Sequence, residues 1–115
     1  MAPTSILHEA EIELWEAVEH YEGNQPGLGL DFLNEVESSL QAIEHAPDRW
    51  RRHDDGTRRY LTQRFPYLVV YLSEGDQIWI VAFAHCRRRP RYWADRLRSA
   101  EQRAATDAED GAAEP

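Results

Sequence analysis

The chain has 115 residues, 42% of them hydrophobic and 30% charged, which suits one globular domain with a modest core. No apolar run approaches the roughly 18 residues of a membrane span and the amino end MAPTSILHEAE lacks the features of a secretory signal, so a cytoplasmic protein with no membrane partner is expected; the lone Cys86 excludes an intrachain disulfide and leaves the redox compartment unconstrained. The net charge is −8, yet all thirteen Lys-or-Arg positions are arginine and none precedes Arg49; residues 49–98 hold twelve Arg against five acids, while ten acids lie at or before Glu44, a segregation that points to two surfaces with different partners.

A first helix is expected from about Ile6 to Glu22. Ile6, Leu7, Ala10, Leu14, Ala17, Val18 and Tyr21 fall on one face at helical spacing, and glutamates fill most of the rest. Thr4 or Ser5 is the expected cap. Gly23, Pro26, Gly27 and Gly29 break the helix, and a second follows from about Leu30 to His45 with Phe32, Leu33, Val36, Leu40 and Ile43 as its stripe, ended by Pro47. Two such helices so close in sequence pack as an antiparallel hairpin. Three strands follow, Thr57–Phe65, Tyr67–Ser73 and Gln77–His85, rich in β-branched and aromatic residues, with Glu74-Gly75-Asp76 as the clearer hairpin turn. Arg91–Arg98, after Pro90, reads as a short last helix. The architecture is therefore α+β: an amino-terminal helical hairpin on a small antiparallel sheet, with a domain over 1–98 and an acidic tail over 99–115, poor in large apolar residues and expected to be disordered.

Several residues invite chemical readings. Clustered guanidinium groups grip phosphates or carboxylates through paired hydrogen bonds, so Arg58, Arg59, Arg64, Arg87, Arg88, Arg89, Arg91 and Arg96 suggest an anionic partner, or else a set that binds the chain's own acids. His85 ends the last strand, alternating with Trp79, Val81 and Phe83, and an imidazole beside arginines could serve as a base. Its neighbour Cys86 reads as a small buried thiol. With no lysine, proton transfer would fall to His, a carboxylate, Tyr or Cys86. The five histidines lack metal-ligand spacing and PGLGL is not a phosphate loop, so neither a metal nor a cofactor is expected. The last two strands are apolar on both faces, one to be covered by the helices and the other by Tyr92, Trp93 and Leu97, by another chain, or by both. Ile12 and Trp15 fall outside the core stripe amid glutamates, where a basic amphipathic segment could dock.

ELWEAVEHYE, QPGLGLDFLNEVESSL, IEHAPDRW and above all RRYLTQRFPYLVVYLSEGDQIWIVAFAHCRRRPRYWADR (58–96) together resemble the RelE/ParE superfamily, the toxins of bacterial type II toxin–antitoxin pairs of the plasmid-stabilisation type, over about Leu7 to Leu97. The resemblance implies a toxin neutralised by a small antitoxin in a hetero-oligomer. Family members usually open with a strand before the first helix; this chain has only APTSIL there, so that strand is expected to be very short or absent. The branches differ in chemistry. ParE-like toxins inhibit DNA gyrase by protein contact, which would use Arg87, Arg88, Arg89, Tyr92 and Trp93 on the target and Ile12, Trp15, Trp79 and Phe83 on the antitoxin. RelE-like toxins cut mRNA on the ribosome, for which Arg59, Arg64, His85 and Tyr92 are the candidates. A degenerate toxin kept as a partner-binding module is a third reading. The absence of lysine and the sequence pI of about 5.0 favour gyrase over an RNA target.

Overall fold

The computed structural model describes residues 3–98 and residue 100; of the expected acidic tail only Ala100 is described, and it is buried, while the rest lies outside the described residues. The order is β1 (Thr4–Ile6), α1 (His8–Asn24), α2 (Leu28–His45), β2 (Arg58–Leu61), β3 (Tyr67–Glu74) and β4 (Gln77–His85), then a helical turn over residues 94–98. The sheet runs β1-β4-β3-β2; β2, β3 and β4 form the expected antiparallel meander, and β1 pairs parallel to β4 over three residues. No described helix is long and apolar enough to cross a membrane.

Thr4 and Ser5 do not cap α1. They belong to β1, where Thr4 donates to Glu44 and Ser5 accepts from Gln77 Nε2, and the cap position falls to the extended Leu7 with no side-chain hydrogen bond. The expected stripes do form the core: Ala10, Leu14 and Ala17 of α1 and Phe32, Val36 and Ile43 of α2 are buried. Burying each of the large ones removes enough apolar surface from water to contribute about 1.5–3 kcal/mol. The hairpin closes where Gly29 packs on α1; a Cβ there would meet the Val18 carbonyl at 2.7 Å. Glu22 then accepts from the Gly27 and Gly29 N–H groups at 3.1 Å, serving donors that the first turn of α2 leaves open.

β2 ends at Leu61, four residues short of the expected boundary. Thr62 turns the chain instead, its hydroxyl donating to the Phe65 carbonyl at 2.5 Å, and the Arg64 and Phe65 N–H groups donate to the Glu35 carboxylate rather than to a strand.

β4 carries a β-bulge. Val70 pairs with Ala82 but Tyr71 with Ile80, leaving Val81 as the extra residue. Paired residues share a face. Tyr67 meets Phe32 of α2 and pairs with His85, so Phe83 and His85 look toward the helices. Trp79 pairs with Leu72 and looks away, so the expected single face of Trp79, Val81, Phe83 and His85 does not exist.

Trp93 covers part of the far face. Its indole N–H donates to Asp55 Oδ2 at 3.3 Å, and the Arg59 guanidinium lies 5.1 Å from its ring.

Candidate functional site

β4 outruns its edge partner. β1 and Leu7 pair with it only as far as Ile80, after which the chain turns into α1. The Val81 carbonyl and the Phe83 N–H beyond that point are satisfied by side chains: Arg96 donates to the Val81 carbonyl at 3.2 Å and Glu13 accepts from the Phe83 N–H at 3.2 Å. Glu13 also accepts from both Arg96 Nη atoms, at 2.7 and 3.2 Å, and from the Tyr92 hydroxyl. One carboxylate thus ties α1, the open end of β4 and the carboxy-terminal segment together. Its position could have been a signal: Glu13 stands three residues after Ala10 and four before Ala17, inside the buried stripe, where a charge needs partners.

The arginines divide by environment. Arg58 donates to the Trp50 carbonyl at 2.6 Å and pairs with Asp48; Arg59 lies beside Asp55, Arg64 beside Asp31 and Arg96 beside Glu13. Among the described residues no ion pair engages Arg87, Arg88, Arg89 or Arg91, all of which are exposed. Arg88 lies 4.0 Å from the centre of the Tyr92 ring and Arg96 lies 5.2 Å from it. Backbone contacts fix this arginine turn: the Cys86 N–H donates to the Pro66 carbonyl, the Arg88 N–H to the His85 carbonyl, and Arg91 takes a left-handed φ of 62°. Cys86 is exposed, not a buried thiol, because it stands in the turn after the strand ends.

His85 lines an open cleft of about 200 Å³ with Glu16, His20, Tyr67, Phe83 and Arg88. Its Nδ1 accepts from the Arg87 N–H at 3.0 Å. With Nδ1 taken by that N–H, a neutral ring would carry its proton on Nε2 and offer a donor there, not the lone pair a base requires.

Of the nuclease candidates, only His85 and Tyr92 lie near one another, each beside Arg88. Arg59 is on the far face beneath Trp93, and Arg64 is in the loop beside α2, so the expected set is not assembled. Of the contact candidates, Arg87, Arg88 and Arg89 are exposed and Tyr92 is half-buried, but Trp93 is buried. Ile12 and Trp15 are 44% and 48% exposed. Trp79 and Phe83 are 6% and 2% exposed, so they offer a partner no surface in this state. No group of three or more metal-ligating side chains occurs among the described residues.

Burial, then the hydrogen bond to Glu13, pushes the Tyr92 phenol far above its ordinary value, and burial pushes Tyr71 up to about 12. Burial alone would raise the Asp55 carboxyl, but hydrogen bonds from Thr57 and Trp93 and the Arg59 charge hold it below the usual range. The tyrosines set an alkaline limit. Above the unfolded value of about 10 the unfolded chain releases phenolic protons that the folded one keeps, so stability is full below pH 10 and falls as pH rises toward 12. Urea unfolding at pH 9 and pH 11.5 should show that loss, on the order of 1.4 kcal/mol per unit for each affected tyrosine, and Tyr71→Phe should make it smaller. Equal stability at the two pH values would contradict the assignment.

A model of the family described as "ParE toxin of type II toxin-antitoxin system, parDE" matches residues 6–90. A solved chain of the chromosomal ParDE toxin–antitoxin system from P. aeruginosa shares the fold, with a TM-score of 0.66 at 17% identity over 74% of this chain and 96% of that one. No curated protein sequence matches. With three-quarters of its length inside the family match and its fold that of a ParDE-system chain, this chain belongs to the ParE toxin family of type II toxin–antitoxin systems.

Proposed function

We propose that the protein poisons DNA gyrase by protein contact, without an active site of its own, and that the turn Arg87, Arg88 and Arg89, braced by Tyr92, is the contact surface. The observation that carries this reading is the state of His85. Held at Nδ1 by the Arg87 N–H, it presents a donor to its cleft and is no base for a ribose 2′-hydroxyl. Tyr92 cannot substitute for it, because its proton is committed to Glu13. Guanidinium groups on a fixed turn, with no ion pair among the described residues, suit acidic side chains on a protein surface. In a supercoiling reaction with purified gyrase the protein should block supercoiling at stoichiometric concentration, and ribosomes programmed with mRNA should show no new cuts. Cuts with gyrase unaffected would reverse the assignment.

The antitoxin, in this reading, docks a basic amphipathic segment on the outer face of α1. Ile12 and Trp15 stand side by side at helical spacing between the exposed Glu11, Glu16 and Glu19, an apolar anchor inside an acidic frame. Replacing both by Ala removes anchor area without touching the core. Affinity for the cognate antitoxin, measured by titration calorimetry, should fall at least about 30-fold, roughly 2 kcal/mol, with folding stability within about 0.5 kcal/mol of the parent. Unchanged affinity would move the antitoxin to another face.

A further inference from the structure

We propose that Arg51, Arg52, His53 and Arg91 form a basic band that holds the phosphate backbone of duplex DNA, a partner separate from whatever meets the turn at Arg87 to Arg89. Two segments distant in sequence make the band. The Trp93 indole N–H donates to Asp55 Oδ2 at 3.3 Å, which brings the 91–93 stretch against the tight turn that the His53 N–H closes by donating to the Thr57 carbonyl at 2.7 Å. Burial, then the charges of Arg59, Arg51 and Arg91, hold the His53 imidazole below its ordinary value against the opposing pull of Asp55, so these guanidinium groups converge on one ring. Over residues 51–57 and 89–98, Arg51, Arg52, Arg89, Arg91 and Arg98 are exposed, with Asp54 and Asp95 as the exposed acids. Arg91 carries a further mark. It is the one non-glycine among the described residues at positive φ, 62°, a left-handed backbone that suits glycine and disfavours any residue with a Cβ. An arginine held there against that strain points to a use for its charge.

The band offers charge without an anchor, and that selects the partner. The exposed large apolar side chains among the described residues are Ile12, Trp15, Leu30 and Leu61, none of them in the band, and Trp93 beneath it is buried. A protein partner takes most of its affinity from a desolvated apolar or aromatic anchor, and single strands need exposed rings on which bases stack. Duplex backbone needs neither, because it is held by cations and by the counterions they release. Arginine forks also fit phosphate oxygens. The net charge of −8 does not forbid the contact. The 53–57 turn packs on the face of the sheet turned away from the helices, where a Cβ on Gly56 would stand 3.9 Å from Leu72. At about 0.15 M salt, exposed charges more than about 8 Å apart are largely screened, so the glutamates of α1, across the sheet, weigh little on the band.

Fluorescence anisotropy of a labelled duplex of about 20 base pairs, titrated with the full chain, tests this. Binding should appear at about 20 mM salt and weaken roughly 80-fold by about 100 mM, the slope expected of about three neutralised phosphates. Changing Arg51, Arg52 and Arg91 together to Ala should weaken it at least about 30-fold at the lower salt and flatten the slope. Lys at all three positions should keep it within about fivefold, since a phosphate accepts either cation. Arg91→Gly separates binding from folding: affinity should fall about fivefold while the melting temperature stays within about 2 °C, because glycine relieves the left-handed backbone. Absence of duplex binding at the lower salt would overturn the proposal, as would equal weakening when Arg87, Arg88 and Arg89 are changed to Ala instead. Polyglutamate competing as well as duplex would make the band a site for acidic protein, and tighter binding of single-stranded RNA would make it a site for bases; either result also overturns it.

Discussion

Glu13→Ala is expected to destabilise the fold by about 3 kcal/mol, a large share of the 5–15 kcal/mol that holds a typical domain together. The carboxylate and its Arg96 partner are 13% and 17% exposed, so water cannot easily replace either. Removing it leaves a guanidinium, the Phe83 N–H and the Tyr92 hydroxyl without their acceptor in a poorly solvated corner. Glu13→Gln keeps an acceptor but loses the charge and should cost about half as much. Glu16→Ala, on the exposed side of the same helix, should stay within about 0.5 kcal/mol of the parent. Urea unfolding of the three variants is the measurement. A Glu13→Ala protein as stable as Glu16→Ala would mean that the clasp contributes nothing.

Changing Arg87, Arg88 and Arg89 together to Ala is expected to abolish gyrase inhibition, a loss of at least about 100-fold in potency, while leaving the fold intact. All three side chains are exposed, and their deletion removes no buried contact and no ion pair among the described residues. The one packing term lost is Arg88 over Tyr92, worth roughly 0.5–1 kcal/mol at an exposed site. The same change in Arg58, Arg59 and Arg64 should do the opposite. Arg58 and Arg59 are mostly covered and tie the 48–55 segment to the sheet, so that variant should be less stable, with inhibition lost only in proportion to unfolding. Supercoiling titrations beside thermal melts separate the two sets. Equal behaviour of the two triples would dissolve the distinction between arginines with and without an ion pair among the described residues.

That distinction was out of reach of the sequence, which shows thirteen arginines and not their partners. The helices were legible because each buries one stripe: Phe32, Val36 and Ile43 repeat at helical spacing and are all buried. β4 was legible as a strand covered on both faces, and Trp93 supplies part of the second cover. Local patterning fails where a partner is distant in the chain. β1 has three residues and exists through pairing with Ile78 to Ile80, more than seventy positions away. The Val81 bulge reverses which face Trp79 shares, and no composition rule marks it. Phe83 and Trp79 therefore looked like surface candidates and are core. Glu13 was hidden among six glutamates of one helix, distinguished only by its place in the apolar stripe. The family, by contrast, was legible because its motifs spread along most of the chain, and the family match from 6 to 90 covers nearly the same span.

His85→Ala separates the proposed action by contact from action by catalysis. The variant is to be compared with the parent in two assays, gyrase supercoiling and ribosome-dependent mRNA cleavage. Because His85 offers its cleft a donor and only braces the Arg87 backbone, gyrase inhibition should survive the change largely intact, with no mRNA cuts from either protein. Ribosome-dependent cuts by the parent that fall by about 100-fold or more in His85→Ala, the scale of a lost general base, would contradict it.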